Sequence, residues 1–567
     1  MKKTLSTLLL AVATVFVLGS CSKKLRPLHG DNVKVEPQML EVVAGQVPAK
    51  IHVTFPAKWF PKKAVLTITP VLRYNGGEKV GASYTFQGEK VYGNDPVVSY
   101  THGANATLSF SAPYVPQMAK SKLLLTFGLK GSNKPIADLE IAQGVIATEM
   151  LATAQVAKVA LAPDSFQRII KESYDASILF QIQQADIRRS ELKKDDVQDW
   201  KGLVQQAKQA DNQTVSVEVQ AYASPDGGQK LNEKLSEQRE RNTTKMLKKE
   251  FNKQRMSDIA IDAHYTAQDW EGFKTLVEQS DLQDKELVLR VLSMYSDPEQ
   301  REREIRNISA AFSQLADEIL PKLRRSRLIA NIQITGKSDQ EIKEFLDKAP
   351  KELTLEEMLY AATLVQGKEQ QENVYQLISK LHAKDYRAFN NIGTLLYERG
   401  ALDQAQVYFE AAKNRQNNPY SNINLGLIAL SKGDLAQAAT LIGAGSSVPE
   451  AAPALGLLYL KQGQYAKAVA AYGKTISNNA AVAQLLNSDY GRALSTINAL
   501  PQPDATSFLI KAIVGARTND STLALSSLKK AISMDSKIAH LVSGNLEFAK
   551  FAGTPEFAQL LSSTSTH

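Results

Sequence analysis

The sequence predicts a multidomain protein: an N-terminal β-sandwich, a central α+β domain and a C-terminal all-α solenoid of repeated helix pairs. Three observations predict it. Up to about residue 164 apolar residues alternate singly with polar ones. Between about 170 and 337 strand-like runs alternate with helical ones around a glycine turn. From about 345 the same small residues recur roughly every thirty positions. At 567 residues the chain is long enough for three or four domains with separate cores. Its apolar content of 43% and charged content of 22% are ordinary for globular proteins. A net charge of +8 and a pI near 9.0 are mild for this length. They suit an anionic envelope surface as well as nucleic acid, and no nucleic-acid motif favours the latter.

The chain opens with Lys2-Lys3, an apolar run from Leu8 to Leu18, and then Gly19-Ser20-Cys21. A basic start, a short apolar core and small residues before a cysteine resemble a bacterial lipoprotein signal. The resemblance implies removal of residues 1–20, acylation of Cys21 (diacylglycerol and palmitate), and an outer-membrane anchor. An ordinary secretory signal with a chance cysteine is the alternative. The apolar run falls short of the roughly 20 residues that span a bilayer, so anchoring is expected rather than spanning. Cys21 is the single cysteine, which excludes an intramolecular disulfide and a multi-thiolate zinc site. Ser22-Lys23-Lys24 contains no acidic cluster. In Bacteroidota lipoproteins, which the chain resembles, such a cluster accompanies surface export, so the periplasmic side is expected. Residues 21–32 form a lipidated tether, about 35 Å long if the polar stretch is fully extended.

Residues 33–164 read as an antiparallel β-sandwich. Ile51, Val53 and Phe55 alternate with polar neighbours, as do Leu66 with Ile68, and Ala106, Leu108 and Phe110. Asn75-Gly76-Gly77 signals a hairpin, and Leu123 to Phe127 a central strand. The pattern suggests an immunoglobulin-like sandwich without its Cys–Trp–Cys framework. Trp59, Phe60 and Tyr114 could form an exposed aromatic patch; core positions are the favoured assignment.

In residues 170–337, Ile178, Phe180 and Ile182 read as a first strand. A helix through Val197, Trp200, Leu203, Val204 and Ala207 follows. Val215, Val217, Val219 and Ala221 give a second strand, Pro225-Asp226-Gly227-Gly228 a turn, and Leu231, Leu235, Met246 and Leu247 a helical stripe. Residues 259–263 and 328–334 supply two more strands. A helical insert at about 269–323 separates them, with Asp297 capping one helix and Pro298 at its first position. Strand, glycine turn and Asn232-x-x-Leu235-Ser236-x-x-Arg239 on a helix resemble the C-terminal domain of the OmpA family. That resemblance implies peptidoglycan as ligand, with Arg239 gripping a peptide-stem carboxylate. Ser224 stands where the family has its acidic partner. Asp226, two residues on, is the candidate substitute, and Asn232 completes the candidate set. The alternative is that Arg239 merely pairs with a nearby carboxylate such as Asp226 or Glu237.

In residues 345–552, Ile392-Gly393, Leu425-Gly426 and Leu455-Gly456 are each followed seven residues later by Gly400, Gly433 and Gly463, and then by Ala405, Ala438 and Ala468. The pattern resembles the tetratricopeptide repeat, which implies stacked helix pairs that bind proteins or peptides on a concave face. The three glycines should lie where helices approach closely, with the alanines facing them. Ala512, Ala524, Leu528 and Ala531 restore the pattern after a degenerate stretch at about 490–503. Residues 358–364 and 374–381 make a weaker leading pair. Residues 553–567 are a tail.

Catalytic signals are missing from the sequence. Gly473-Lys474-Thr475 mimics the end of a phosphate loop, but Ala468 stands where its glycine is required. There is no Gly-x-Ser-x-Gly or His-Glu-x-x-His motif, and the seven histidines are scattered. No enzyme, cofactor or metal is expected. The expected function is a non-catalytic outer-membrane adaptor that contacts peptidoglycan and holds an envelope protein in its solenoid. The alternative is an accessory or assembly factor of a secretion (type IX) or fimbrial system without peptidoglycan binding.

Overall fold

The computed structural model describes residues 25, 27–132, 134–282 and 284–562, with the side chains of 309–311 excepted. The expected signal sequence, residues 1–20, and Cys21 lie outside these residues. The chain forms two compact units. One joins the strand-rich N-terminal part, up to Pro163, with residues 368 onward; the other is Asp164–Gly367. The expected sandwich and solenoid therefore belong to a single, discontinuous unit.

In the first unit, the strands are β1 (Val33–Glu36), β2 (Leu40–Glu41), β3 (Ala49–Phe55), β4 (Val65–Tyr74), β5 (Gly77–Val80) and β6 (Tyr84–Gly88). They continue with β7 (Val97–Val98), β8 (Ala104–Phe110), β9 (Ser121–Leu129), β10 (Leu139–Gln143) and β11 (Val145–Ile146). One sheet runs β1-β3-β8, a second β10-β9-β4-β6-β7 with β5 on β4, and β2 pairs with β11. Ile51, Val53, Phe55, Leu66, Ile68, Leu108 and Leu123 share one core between the two larger sheets. Single alternation produces this: β3 buries every second residue. Two pairings, β6–β7 and β2–β11, are parallel, so the region is not purely antiparallel. The β4–β5 hairpin turns at Asn75-Gly76, with Gly76 at φ +87°. Phe60 is buried, and Trp59 and Tyr114 pack against the same core rather than forming a patch.

The second unit contains β12 (Ile169–Leu179), α1 (Asp195–Gln209), β13 (Gln213–Tyr222), α2 (Gln229–Lys253) and β14 (Ala260–Thr266). The insert follows: α3 (Trp270–Gln279), α4 (Lys285–Met294), α5 (Pro298–Asn307), α6 (Ser309–Gln314), a π turn (Leu315–Ile319) and α7 (Leu320–Leu323). Then come β15 (Arg325–Thr335), α8 (Asp339–Lys348) and α9 (Leu355–Leu364). The sheet order is β12-β15-β13-β14; β13 and β14 are parallel and the other neighbours antiparallel. The first strand begins at Ile169, nine residues before Ile178, and leaves Ile182 exposed beyond its end. Val197, Trp200 and Val204 of α1 and Leu247 and Phe251 of α2 pack with Val217 and Val219. The insert has its own core around Phe273, Val288, Ile305 and Leu315. Asp297 caps α5 as the sequence suggests, accepting from the Gln300 amide. The expected apolar stripe of α2 is different: Leu231 is exposed, and the buried face begins with Asn232, Ser236, Arg239 and Thr243.

In the first unit, α10 (Lys368–Leu381) precedes five helix pairs: α11 (Arg387–Glu398) with α12 (Leu402–Arg415), α13 (Pro419–Ser431) with α14 (Leu435–Ala444), and α15 (Ala451–Lys461) with α16 (Tyr465–Tyr472). The last two pairs are α17 (Asn478–Leu486) with α18 (Tyr490–Asn498), and α19 (Ala505–Arg517) with α20 (Ser521–Met534). Helices α21 (Lys537–Val542) and α22 (Pro555–Ser562) close the described chain. Residues 345–364 fall in the other unit, so the array begins later than expected, and the leading pair α9 and α10 is divided. The stretch expected to be degenerate is a regular pair. Ala481 replaces the packing glycine, Ser488 takes the turn at φ +63°, and Ala493 keeps the spacing. The packing glycines do mark close approach, chiefly to the residue one turn beyond each alanine, while Gly426 also faces the Ala438 carbonyl, 3.6 Å from where its Cβ would stand. A Cβ at Gly393, Gly426 or Gly456 would meet Phe409, Ile442 or Tyr472 at 2.6–2.8 Å, sixteen positions on in each case. Ala405, Ala438 and Ala468 are fully buried one helical turn before those residues.

Candidate functional site

Two places concentrate buried polar side chains, one in each unit. In the second, the turn after β13 draws together Ser224, Asp226, Asn232 and Arg239, all four residues of the candidate set. The Asn232 amide donates to the Ser224 and Gly227 carbonyls at 3.0 and 2.8 Å, tying the turn to the first coil of α2. Ser224 hydrogen-bonds to the Asp226 carboxylate. That carboxylate pairs with Arg324 at 2.9 Å, and Arg324 also donates to Ser224 Oγ at 3.2 Å. From the insert, Arg306 donates to the Asp226 carbonyl at 2.6 Å. Asp226 is therefore held by an arginine from the end of the insert, a residue to which the sequence pattern assigned no role.

Arg239 is fully buried. Its Nε donates to the Gln184 carbonyl at 3.0 Å, Nη1 to Tyr222 at 2.8 Å and Nη2 to Gln181 at 3.3 Å. The Phe180 ring centroid lies 5.0 Å from the guanidinium carbon. Burial, with the Arg324 charge nearby, pulls this guanidinium down to about 10 against the opposing effect of Asp226. The fork grips two backbone carbonyls of the segment after β12 and that of Tyr222 at the end of β13, and Asn242 extends the grip to the Ala185 carbonyl at 2.9 Å. Glu237, the other carboxylate considered, pairs with Arg241 instead.

The second place is the face that the first helices of the array present side by side. Across it lies the chain's own segment 148–162, which leaves β11 through two short 3₁₀ turns, Thr148–Leu151 and Ala154–Val156, and then extends. Three asparagines hold it through its backbone. Asn391 accepts from the Ala162 amide and donates to the Ala162 carbonyl, both at 2.9 Å. Asn424 does the same to Ala160 at 2.7 and 2.8 Å, and Asn479 to Thr153 at 3.0 and 2.8 Å. Asn390 adds a donor to the Ala160 carbonyl at 3.0 Å, and the Tyr397 hydroxyl donates to the Ala154 carbonyl. Burial pushes the Tyr397 phenol above its ordinary range. Before the segment enters, Glu149 is buried and accepts from the Ala44 and Gly45 amides and from Tyr465. Thr148 hydrogen-bonds to Glu547, which Arg517 joins to Glu41.

Sequence reasoning missed these asparagines, although a signal exists. Each stands two residues before the small packing residue of its repeat: Asn391 before Gly393, Asn424 before Gly426, Asn479 before Ala481. The third repeat has Ala454 at that position. There the segment stands off, and a cleft of about 410 Å³ opens between Val156, Ala157 and Lys158 on one side and Pro453, Ala454, Tyr472 and Ile476 on the other. The Tyr472 hydroxyl is buried without a hydrogen-bond partner among the described residues. Thr475 of the phosphate-loop mimic lines this cleft as well, while Gly473 simply ends α16 at positive φ.

Among the described residues, no group of three or more His, Cys, Asp and Glu gathers as a metal site would need, and no helix is long and apolar enough to cross a membrane.

Residues 454–481 match the model of the tetratricopeptide repeat family. No curated protein matches the chain. Among solved structures, it is similar to a tetratricopeptide repeat protein from Parabacteroides merdae ATCC 43184, with 15% identity over 43% of this chain and 98% of that one, at a TM-score of 0.29. YrrB, described as a TPR protein with an unusual peptide-binding site, is 15% identical over 38% of this chain and all of its own, at a TM-score of 0.22. Yeast Tom70 is 12% identical over 58% of this chain and 77% of its own, at 0.25. The chain thus carries tetratricopeptide repeat sequence, a kind of repeat that points to protein–protein interaction.

Proposed function

We propose that the protein is a non-catalytic scaffold of the cell envelope, an accessory or assembly factor of a secretion (type IX) or fimbrial system that holds a protein partner in its helical array. One observation carries this: the array already grips an extended chain through backbone-directed asparagines, the chemistry needed to hold a protein segment largely independently of its side chains. Lipid attachment at Cys21, and with it an outer-membrane position facing the periplasm, is part of the proposal. Replacing Cys21 by Ala should move the protein to the soluble or unprocessed fraction; retention in the outer membrane after salt washing would remove the anchor. Photo-cross-linkers at the exposed Val407 and Ile476 should capture one discrete envelope protein in intact cells. Capture only from positions in residues 164–367 would overturn the assignment to the array.

Peptidoglycan contact is the second reading. The strand order around the glycine turn and the grouping of Ser224, Asp226, Asn232 and Arg239 favour it. Against it stand the Arg239 donors spent on three carbonyls and Asp226 paired with Arg324. Wild type should be retained on purified sacculi no better than a control protein. Retention that Ser224→Asp strengthens and Arg239→Lys weakens would restore peptidoglycan binding.

A further inference from the structure

We propose that segment 148–162 is a displaceable internal ligand, and that the partner of the array is an extended segment copying its backbone register while filling the cleft the segment leaves open. This rests on the array being the partner-binding surface.

The segment is held in a way that suits exchange. Its clamped residues are small: Ala162, Ala160 and Thr153. Alanines bury little apolar area, and Val159 is the one buried residue larger than alanine between Thr153 and Ala162. Hydrogen bonds therefore carry most of the contact, and each of these exchanges for a bond to water at small net change. Other parts remain outside: Val156 is 61% exposed and Leu161 49%. Lys158 touches the array through an ion pair to Glu450, at 2.9 Å, with most of its side chain in solvent.

The asparagine spacing defines a register. Two clamped residues lie two apart, and the third lies seven before them. Asparagine amides read the N–H and C=O of one residue each, as a neighbouring β-strand would, so they accept any backbone whose side chains fit. The skipped third repeat is where selectivity can enter. The cleft there is lined by Pro453, Ala454 and the exposed Ile476, and its wall includes Tyr472 with its unpartnered hydroxyl. The chain's own segment offers that cleft Ala157, Val156 turned largely to solvent, and the stem of Lys158, whose charge pairs with Glu450. A partner with a larger apolar side chain at that step gains a contact the internal segment never makes. That gain is needed, because a tethered segment competes at a high effective concentration.

The test uses fluorescent peptides with the sequence of residues 148–163, one unmodified and one carrying Ala157→Leu, titrated onto the full chain. Wild type should bind the unmodified peptide weakly and the Ala157→Leu peptide several-fold tighter. In Ala160→Leu/Ala162→Leu protein, whose own segment no longer fits, both peptides should bind at least tenfold tighter, and adding Asn424→Ala should reverse the gain. In unmutated protein, excess Ala157→Leu peptide should accelerate hydrogen exchange at the Ala160 and Ala162 amides. Equal peptide affinities of the wild type and a folded double variant would overturn the proposal. So would unchanged exchange under excess peptide, which decides the matter even if the double variant does not fold. If Val407 and Ile476 still capture a partner while the segment stays in place, the array binds elsewhere; the proposed function stands and this inference falls.

Discussion

The Arg239 site and the asparagine row solve the same problem in opposite ways. Each is a buried polar face that satisfies the backbone of another stretch of the same chain. Arg239, Asn232 and Asn242 each donate to backbone carbonyls here, and none of these contacts serves a backbone N–H group. Asn391, Asn424 and Asn479 each supply a donor and an acceptor to a single residue. The first arrangement buries a charge against the carbonyls it holds; the second is neutral and suits the exchange of one extended chain for another. A buried fork fixes a loop, whereas a row of amides accommodates a visitor.

The comparison breaks first at Arg239. Arg239→Ala should cost about 3–5 kcal/mol, because the Tyr222 and Gln184 carbonyls lose a charged donor and a large cavity opens where a fully buried side chain stood. Thermal unfolding of residues 164–367 would register it, and an unchanged midpoint would mean that the fork is not structural. Next, the array should owe its stability to packing rather than to the segment across it. Gly393→Val drives methyls into the Phe409 ring, and Ala438→Leu overpacks a fully buried position, each costing about 1–3 kcal/mol in denaturant titration. Asn424→Ala should cost less, about 1 kcal/mol, since Asn390 still serves the Ala160 carbonyl and water can reach a loosened segment. Hydrogen exchange should rise at Ala160 while the amides of α13 and α14 keep their protection; equal loss in both would show segment and array to be one cooperative piece.

The smallest effect concerns pH. Burial raises the Glu357 carboxyl, but bonds from Thr354 and Lys337 outweigh it and hold it below its ordinary value. Such a group stabilises the fold above its unfolded pKa, and that stability is lost as pH falls through the folded value. Residues 164–367 should therefore weaken slightly below about pH 4.5, and Glu357→Gln should flatten that slope.

Strands and repeat helices were legible because their burial follows simple periods. Alternation marks β3 and β4, and the glycines at 393, 426 and 456 mark close helix contacts. The fourth pair escaped notice because Ala481 and Ser488 perform the glycine roles with different letters. The α2 stripe misled because its buried face is polar near the turn: Leu231 looked like core, while Arg239 is the residue inside. Ser224, Asp226, Asn232 and Arg239 do gather around the turn after β13, but nothing local to residues 224–239 reveals that Arg324 would arrive a hundred positions later. The asparagine row was hidden for a related reason. Polar residues on a repeat helix look solvent-facing until something polar is known to lie across them, and that something was a small-residue stretch some 230 to 330 positions earlier.

That stretch is also slack. It is the covalent path between β11 and β12, and while the asparagines hold it, its length is stored along the array. Released and fully extended, residues 148–162 could reach about 50 Å end to end at most, and release adds only the difference between that and their span along the array. Tension applied from β12 would meet the clamps one at a time, Ala162 first, then Ala160, then Thr153, so the chain would pay out in steps. While the segment is bound, the row of amides therefore limits how far its two ends can separate.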